Sequence, residues 1–274
     1  MNFRAPIQQL SRWQLVRRLY SALSTAPIVG PPLRRLAQGA IPAETMVWLR
    51  ISDGLGKGLW AHLDPRYETI YAEGEYEPPI QRILSLHLKP GSIFYDVGAH
   101  IGIVSMFGAQ LVGTNGLVFA FEADADNARR IEEHLSRNSL RQIRVVPYAV
   151  WSSGGRIRFE RASAQSSRNQ GAVTLDPAAT GNNFVEVGAV ALDDFVKENP
   201  LPNLIKIDVE GGEADVLRGS EELFLRAKPV LICEVHHARA AEDVTRWLSE
   251  RGYAFEWLED SPQFPRHLLA RWRG

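Results

Sequence analysis

Ile93-Phe94-Tyr95-Asp96-Val97-Gly98-Ala99-His100-Ile101-Gly102 is the stretch on which the fold turns. Its first five residues are mostly apolar and of strand length. Glycines then let the backbone bend sharply, and 101–112 continues at helical spacing. The same unit recurs downstream. A strand at Leu117–Phe121 precedes a helix at 125–138, and a strand at 143–148 follows. A strand at 204–209 leads to a helix over 212–226, and Val230–Val235 to a helix over 239–251. Strand–helix alternation with near-continuous apolar strands predicts a parallel sheet covered on both faces. Two last strands, 253–258 and 267–272, have no helix between them and predict a hairpin with one antiparallel edge strand. Further strands are expected at 156–160 and 184–190, around a polar loop at 162–183.

Upstream, Pro79 and Pro90-Gly91 bound a helix over 78–88. Residues 46–51 and 58–63 flank Asp53-Gly54-Leu55-Gly56, a hairpin signal. Residues 1–40 read as two helices broken by prolines. The expected organisation is an N-terminal helical and hairpin extension, 1–73, followed by a catalytic domain, 74–274.

The chain has 31 Lys+Arg against 32 Asp+Glu, with 45% hydrophobic residues. That balance is ordinary for a globular protein and gives no overall field for nucleic acid. The single cysteine, Cys233, excludes an internal disulfide and sits in an apolar run, where a buried structural thiol is expected. No apolar run reaches the ~18–20 residues of a membrane span, and no signal-peptide pattern opens the chain, so a cytoplasmic protein is expected. Residues 8–37 set five arginines among apolar residues. A helix packed on the domain is the favoured reading, and peripheral contact with a membrane surface is the alternative.

In open α/β sheets, ligands bind beyond the carboxyl ends of the strands. The turn after the first strand, with Gly98, His100 and Gly102, lacks the dinucleotide fingerprint GxGxxG. It also sets Asp96 beside the turn. A carboxylate there repels a pyrophosphate and suits a ligand bearing an ammonium group, such as the methionine end of S-adenosylmethionine (SAM). Glu122 ends the second strand, in the place of an acid that accepts hydrogen bonds from ribose hydroxyls. Each acid alone also reads as a helix cap. After the third strand, Ala149 and its neighbours suit an adenine face, although Tyr148 and Trp151 read equally well as core.

These residues resemble the FkbM-type methyltransferases. The resemblance runs through Gly74-Glu75-Tyr76-Glu77, residues 96–102, Phe121-Glu122 and Ala149-Val150. It continues through Ile205-Lys206-Ile207-Asp208-Val209-Glu210-Gly211-Gly212-Glu213, Val216-Leu217-Arg218-Gly219 and Ile232-Cys233-Glu234-Val235-His236. It covers about residues 74–258, and its Asp-Val-Glu-Gly segment is the most specific part. It implies a Rossmann-like methyltransferase fold, with a mostly parallel seven-stranded sheet and an antiparallel edge hairpin. It also implies SAM as cofactor and a hydroxyl of a sugar, glycolipid or polyketide-like molecule as acceptor. His100 departs from the family's usual Asn, and Trp151 from a small polar residue.

Methyl transfer to a hydroxyl gains from a base that takes the proton during attack. Asp208, Glu210 and His236 stand at adjacent strand ends and are the candidates, and Asp208 is also a cofactor-binding candidate because its charge favours a cationic ligand. Two neighbouring carboxylates raise each other's proton affinity, and an imidazole titrates near neutral pH. The orienting partner of His236 is Asp208, Glu210 or Glu234, whereas Glu213 reads as an acid complementing a helix N-terminus. His237 reads as a surface residue. Asp208, Glu210, Glu234 and His236 offer an oxygen-rich Mg2+ site, but no compact metal motif is present and no required metal is expected. The competing readings are an NAD-dependent oxidoreductase on the same sheet and a non-catalytic SAM-fold binding protein. Methylation of nitrogen on nucleic acid is disfavoured by the charge balance and by the lack of an Asn-Pro-Pro-Tyr-like segment after strand 204–209.

Overall fold

The computed structural model describes residue 42 and residues 45–160, 172–173 and 184–274. The expected N-terminal helices at 1–40, and most of the polar loop at 162–183, lie outside these residues. The strands in chain order are β1 (Val47–Arg50), β2 (Trp60–Leu63), β3 (Ile93–Val97), β4 (Leu117–Phe121), β5 (Ile143–Val146), β6 (Ala149–Val150), β7 (Gly155–Glu160), β8 (Ala172–Val173), β9 (Phe184–Val190), β10 (Leu204–Ile207), β11 (Val230–Val235), β12 (Tyr253–Trp257) and β13 (Arg266–Trp272). The helices are α1 (Thr69–Glu73), α2 (Pro78–His87), α3 (Ile103–Val112), α4 (Ala125–Asn138), α5 (Leu192–Phe195), α6 (Glu213–Arg218), α7 (Glu221–Ala227) and α8 (Ala238–Glu250). Among the described residues, no helix is long and apolar enough to cross a membrane.

Two compact units divide the chain, 1–47 with 63–69, and 48–62 with 70–274. In the first, Arg66 folds back onto Asp64 with a 2.5 Å contact, and Glu68 accepts the Asp64 amide. The second holds the main sheet, of order β12-β13-β11-β10-β3-β4-β5. β11, β10, β3, β4 and β5 run parallel to one another. The seven strands and the edge hairpin are those expected. The antiparallel strand is the inner member of that hairpin: β13 runs against both β11 and β12. The 155–160 and 184–190 strands do not join this sheet. They form a second one, of order β6-β9-β7-β8.

The core explains why the parallel strands read as apolar. Phe94, Tyr95, Phe119 and Phe121 are buried, each such side chain contributing ~1.5–3 kcal/mol. Tyr95 meets Phe119, Phe121 and Phe195 in tilted and edge-on contacts, and its hydroxyl donates to the Pro200 carbonyl at 2.6 Å. α3 packs against β3 and β4 and against α2, so nearly all of its residues are buried. A Cβ on Gly108 would sit 2.4 Å from the Phe94 ring, so the helix approaches the sheet only with glycine there. Cys233 is fully buried, as expected. Chain order reverses between β3 and β10, which is the crevice where an open α/β sheet binds its ligand.

Candidate active site

At that crevice the loops after β3 and β10 meet. Gly98 adopts a φ of 76°, and a Cβ on it would lie 1.8 Å from the Asp208 carbonyl oxygen. Glycine here therefore serves backbone-to-backbone contact. The Asp208 amide in turn donates to the Val97 carbonyl at 3.0 Å. On the other side, the amides of Gly98 and Ala99 donate to Phe121. Gly102, at φ 80°, precedes α3.

Glu122 leaves the end of β4 and accepts the His100 amide through one oxygen and the Asp124 amide through the other, both at 2.8 Å. Burial pushes its carboxyl up to about 8, partly offset by those two amides. His100 holds a left-handed φ of 52°, the conformation that Asn adopts with less strain. Burial and the nearby Arg130 hold its imidazole down at about 4, so the ring is neutral, and its Nε2 is buried without a hydrogen-bond partner. Asp96 is neither a cap nor a solvated loop acid. It is fully buried, with Ser105 Oγ donating to Oδ2 at 2.5 Å and Lys206 Nζ 3.7 Å from Oδ1. Burial raises its proton affinity, with Lys206 and Ser105 opposing. Ala149 starts β6 and pairs with Ala189. Trp151 belongs to the core, where its ring closes on Gly212.

Lys206 is the residue that sequence reasoning passed over. It faces Asp96 across the β10–β3 ladder, and its Nζ donates to Asp208 Oδ2 at 3.1 Å. The signal was present: a lysine inside an otherwise apolar central strand is buried only if paired. Burial favours the neutral amine, but Asp208 and Asp96 outweigh it and hold the ammonium charged. Of the two carboxylates expected to raise each other, Glu210 is raised by burial and by Asp208, with His236 opposing, whereas the effect on Asp208 is the opposite. Burial disfavours its charge, yet Lys206 and His236 more than compensate, and its proton affinity falls.

The three candidate bases do converge. His236 follows β11, with Nε2 3.2 Å from Glu210 Oε2 and 3.7 Å from Asp208 Oδ1. Strand periodicity does not bring Glu210 there, because β10 ends at Ile207 and Glu210 turns inward at a left-handed φ of 54°. The orienting partner is Glu213, which was expected only to complement a helix. Its carboxylate is fully buried and takes His236 Nδ1 at 2.7 Å and the Gly211 amide at 2.8 Å. Burial favours neutral imidazole, but Glu213, Glu210 and Asp208 outweigh it and raise His236 to about 9. Glu234, two residues back, is raised to about 8 by burial and by Asp208. His237 caps α8 by accepting the Ala240 amide. Of the residues offered for a cation, Asp208, Glu234 and His236 bring one ligand atom each within 4.8 Å of the others. Glu210 belongs to no such group among the described residues.

A family model described as the methyltransferase FkbM domain matches residues 96–255. Hexuronic acid methyltransferase AglP of Haloferax volcanii is 32% identical over 181 residues, 64% of this chain and 68% of that protein. 2-O-methyltransferase NoeI of Sinorhizobium fredii is 27% identical over 192 residues, 64% of this chain and 77% of that protein. Among solved structures, methyltransferase FkbM from Methylobacillus flagellatus superposes with a TM-score of 0.49 at 20% identity. That match covers 66% of this chain and 43% of the other's length.

Proposed function

This chain belongs to the FkbM methyltransferase family, and from that premise we propose that it transfers the methyl group of SAM to a hydroxyl of a sugar. The observation that carries the reading is the held imidazole. Glu213 fixes His236 through Nδ1, and Nε2 turns toward Asp208 and Glu210 at the end of the crevice. The names of the two relatives, one acting on a hexuronic acid and one on a 2-hydroxyl, support a sugar acceptor.

The residues after β3 and β4 fit the cofactor. Glu122 has both oxygens fixed by backbone amides and lone pairs left for ribose hydroxyls. Asp96 Oδ1 is buried without a hydrogen-bond partner, and its charge suits the cationic end of SAM. When bound, SAM supplies a methyl group on a good leaving group. The protein's part is to align the acceptor oxygen, exclude water and take one proton. In this account His236 takes that proton at Nε2. The imidazole of the free chain is mostly protonated at neutral pH. A cationic cofactor bound in the crevice would be a like charge and would favour the neutral, basic form. Asp208, kept ionised by Lys206, and Glu210 stabilise the imidazolium that forms.

Residues 74–274 are read as the catalytic part and 1–73 as an extension. The near-neutral charge supports an enzyme without a nucleic-acid partner. The hydride-transfer and binding-module readings find no support in a methyltransferase family.

The test is a panel of hexosides, hexuronic acid glycosides and simple alcohols offered with methyl-labelled SAM. Label on a sugar oxygen is expected. Label only on nitrogen or only on non-sugar alcohols would overturn the acceptor class.

A further inference from the structure

Beside the proposed base lies a second group of side chains that methyl transfer does not use. Glu77, Glu234 and His267 each bring one ligand atom within 4.8 Å of the others. They come from distant parts of the chain: Glu77 immediately precedes α2, Glu234 is in β11 and His267 in β13. Glu234 and His267 are partners across the β11–β13 ladder.

The hydrogen bonding around the neutral His267 tautomer protonated at Nδ1 fits a metal ligand. Its Nδ1 lies 2.6 Å from Glu259 Oε1, and Glu259 Oε2 also accepts the His267 amide at 2.8 Å. A proton on Nδ1 facing a carboxylate leaves Nε2 with a free lone pair. A histidine that donates its far nitrogen to a carboxylate is the usual outer-shell arrangement of a metal-bound imidazole. Nε2 is buried, has no hydrogen-bond partner and lies 3.7 Å from Glu234 Oε2. Glu77 Oε2 is likewise buried without a partner. Lone pairs on an imidazole nitrogen and two carboxylates pointing at one small volume repel one another unless a proton or a metal cation lies between them.

We propose that Glu77, Glu234 and His267 bind a divalent cation, with Glu259 as the outer-shell partner of His267. One nitrogen and two or more oxygens suit Mn2+ or Zn2+ better than Mg2+, which prefers oxygen and retains its waters. A cation held there ties the start of α2 to β11 and β13. Three protein ligands also leave coordination positions open for water or an acceptor oxygen. The site shares Glu234 with the Asp208–His236 group but needs neither SAM nor methyl transfer for its existence.

The experiment uses the full chain, stripped with a chelator and titrated with Mn2+, with free Mn2+ read by electron paramagnetic resonance. One Mn2+ per chain is expected, and the thermal midpoint should rise as the metal binds. Glu77→Gln and His267→Gln should abolish stoichiometric binding. Glu259→Gln keeps every ligand and should weaken binding about 10–100-fold, so the test stands even if a ligand variant fails to fold. His236→Asn should leave Mn2+ affinity unchanged. Absence of stoichiometric binding would overturn the proposal. So would binding lost in His236→Asn but kept in Glu259→Gln and His267→Gln, which would assign the cation to the neighbouring group.

Discussion

Glu213 decides what His236 is able to do. A fully buried carboxylate on Nδ1 fixes the ring and its tautomer, and together with Glu210 and Asp208 it raises the imidazole to about 9. In Glu213→Gln the side-chain oxygen still accepts from Nδ1, but the charge is gone. The acid limb of kcat/KM for SAM, which reports the free enzyme, is expected near pH 9 in the native chain. It should move to lower pH in the variant, and a limb that stays in place would remove Glu213 from the base. The same pair gives a stability signature. A histidine raised in the folded state contributes stability that is complete below its unfolded value, near pH 6.5, and lost as pH rises through about 9. The gap in unfolding midpoint between native chain and Glu213→Gln should therefore be wider at pH 6 than at pH 9.5. Neither Glu213 nor Lys206 was assigned a site role from sequence, and for different reasons. Lys206 carried a signal in the strand pattern, whereas Glu213 at a helix start is what the helix dipole alone would select.

Among the elements, the hairpin of β1 and β2 is joined to α4 by Asn138 and, through His62, by Arg130, Glu133 and His134. Asn138 accepts the Trp60 amide and donates to the Trp60 and His134 carbonyls, at 2.7, 2.7 and 2.8 Å. Arg137 lies over the Trp48 and Trp60 rings alongside. Asn138→Ala strands two backbone groups and should cost ~1–3 kcal/mol in denaturant unfolding, with the affinity for S-adenosylhomocysteine unchanged. A lost affinity would instead make Asn138 a ligand contact. The parallel strands were legible because apolar runs of strand length, buried on both faces, have few other solutions. The single helix expected over 212–226 is two, α6 and α7. A Cβ on Gly219 would lie 2.2 Å from the Trp151 carbonyl, and α7 starts afresh with its Glu222 and Leu223 amides on the Asp193 carboxylate, at 3.1 and 2.8 Å. Both causes are tertiary, from residues at least 29 positions away, so no local pattern announces the break.

At the scale of the molecule, sheet order makes the site. Because β3 lies between β4 and β10, its loop touches the ends of both neighbours, and Gly98 and Asp208 meet at the reversal. Sequence position placed Asp96, Glu122, Asp208, Glu210 and His236 at or near strand ends, although β10 stops at Ile207, short of the expected Val209. It did not reveal that β13 inserts between β11 and β12. That insertion sets His267 beside Glu234, and pairing partners are chosen by long-range packing. The second sheet of β6 to β9 was hidden for the same reason. A cofactor site after β3 and β4 feeding a base after β11 has one decisive consequence. It is tested most directly by labelled methyl transfer from SAM to a hexuronic acid glycoside, comparing the native chain with His236→Asn. Transfer by the native chain and a loss of about 100-fold or more in the variant are expected, with the affinity for S-adenosylhomocysteine unchanged. A variant that transfers methyl at the native rate would contradict it.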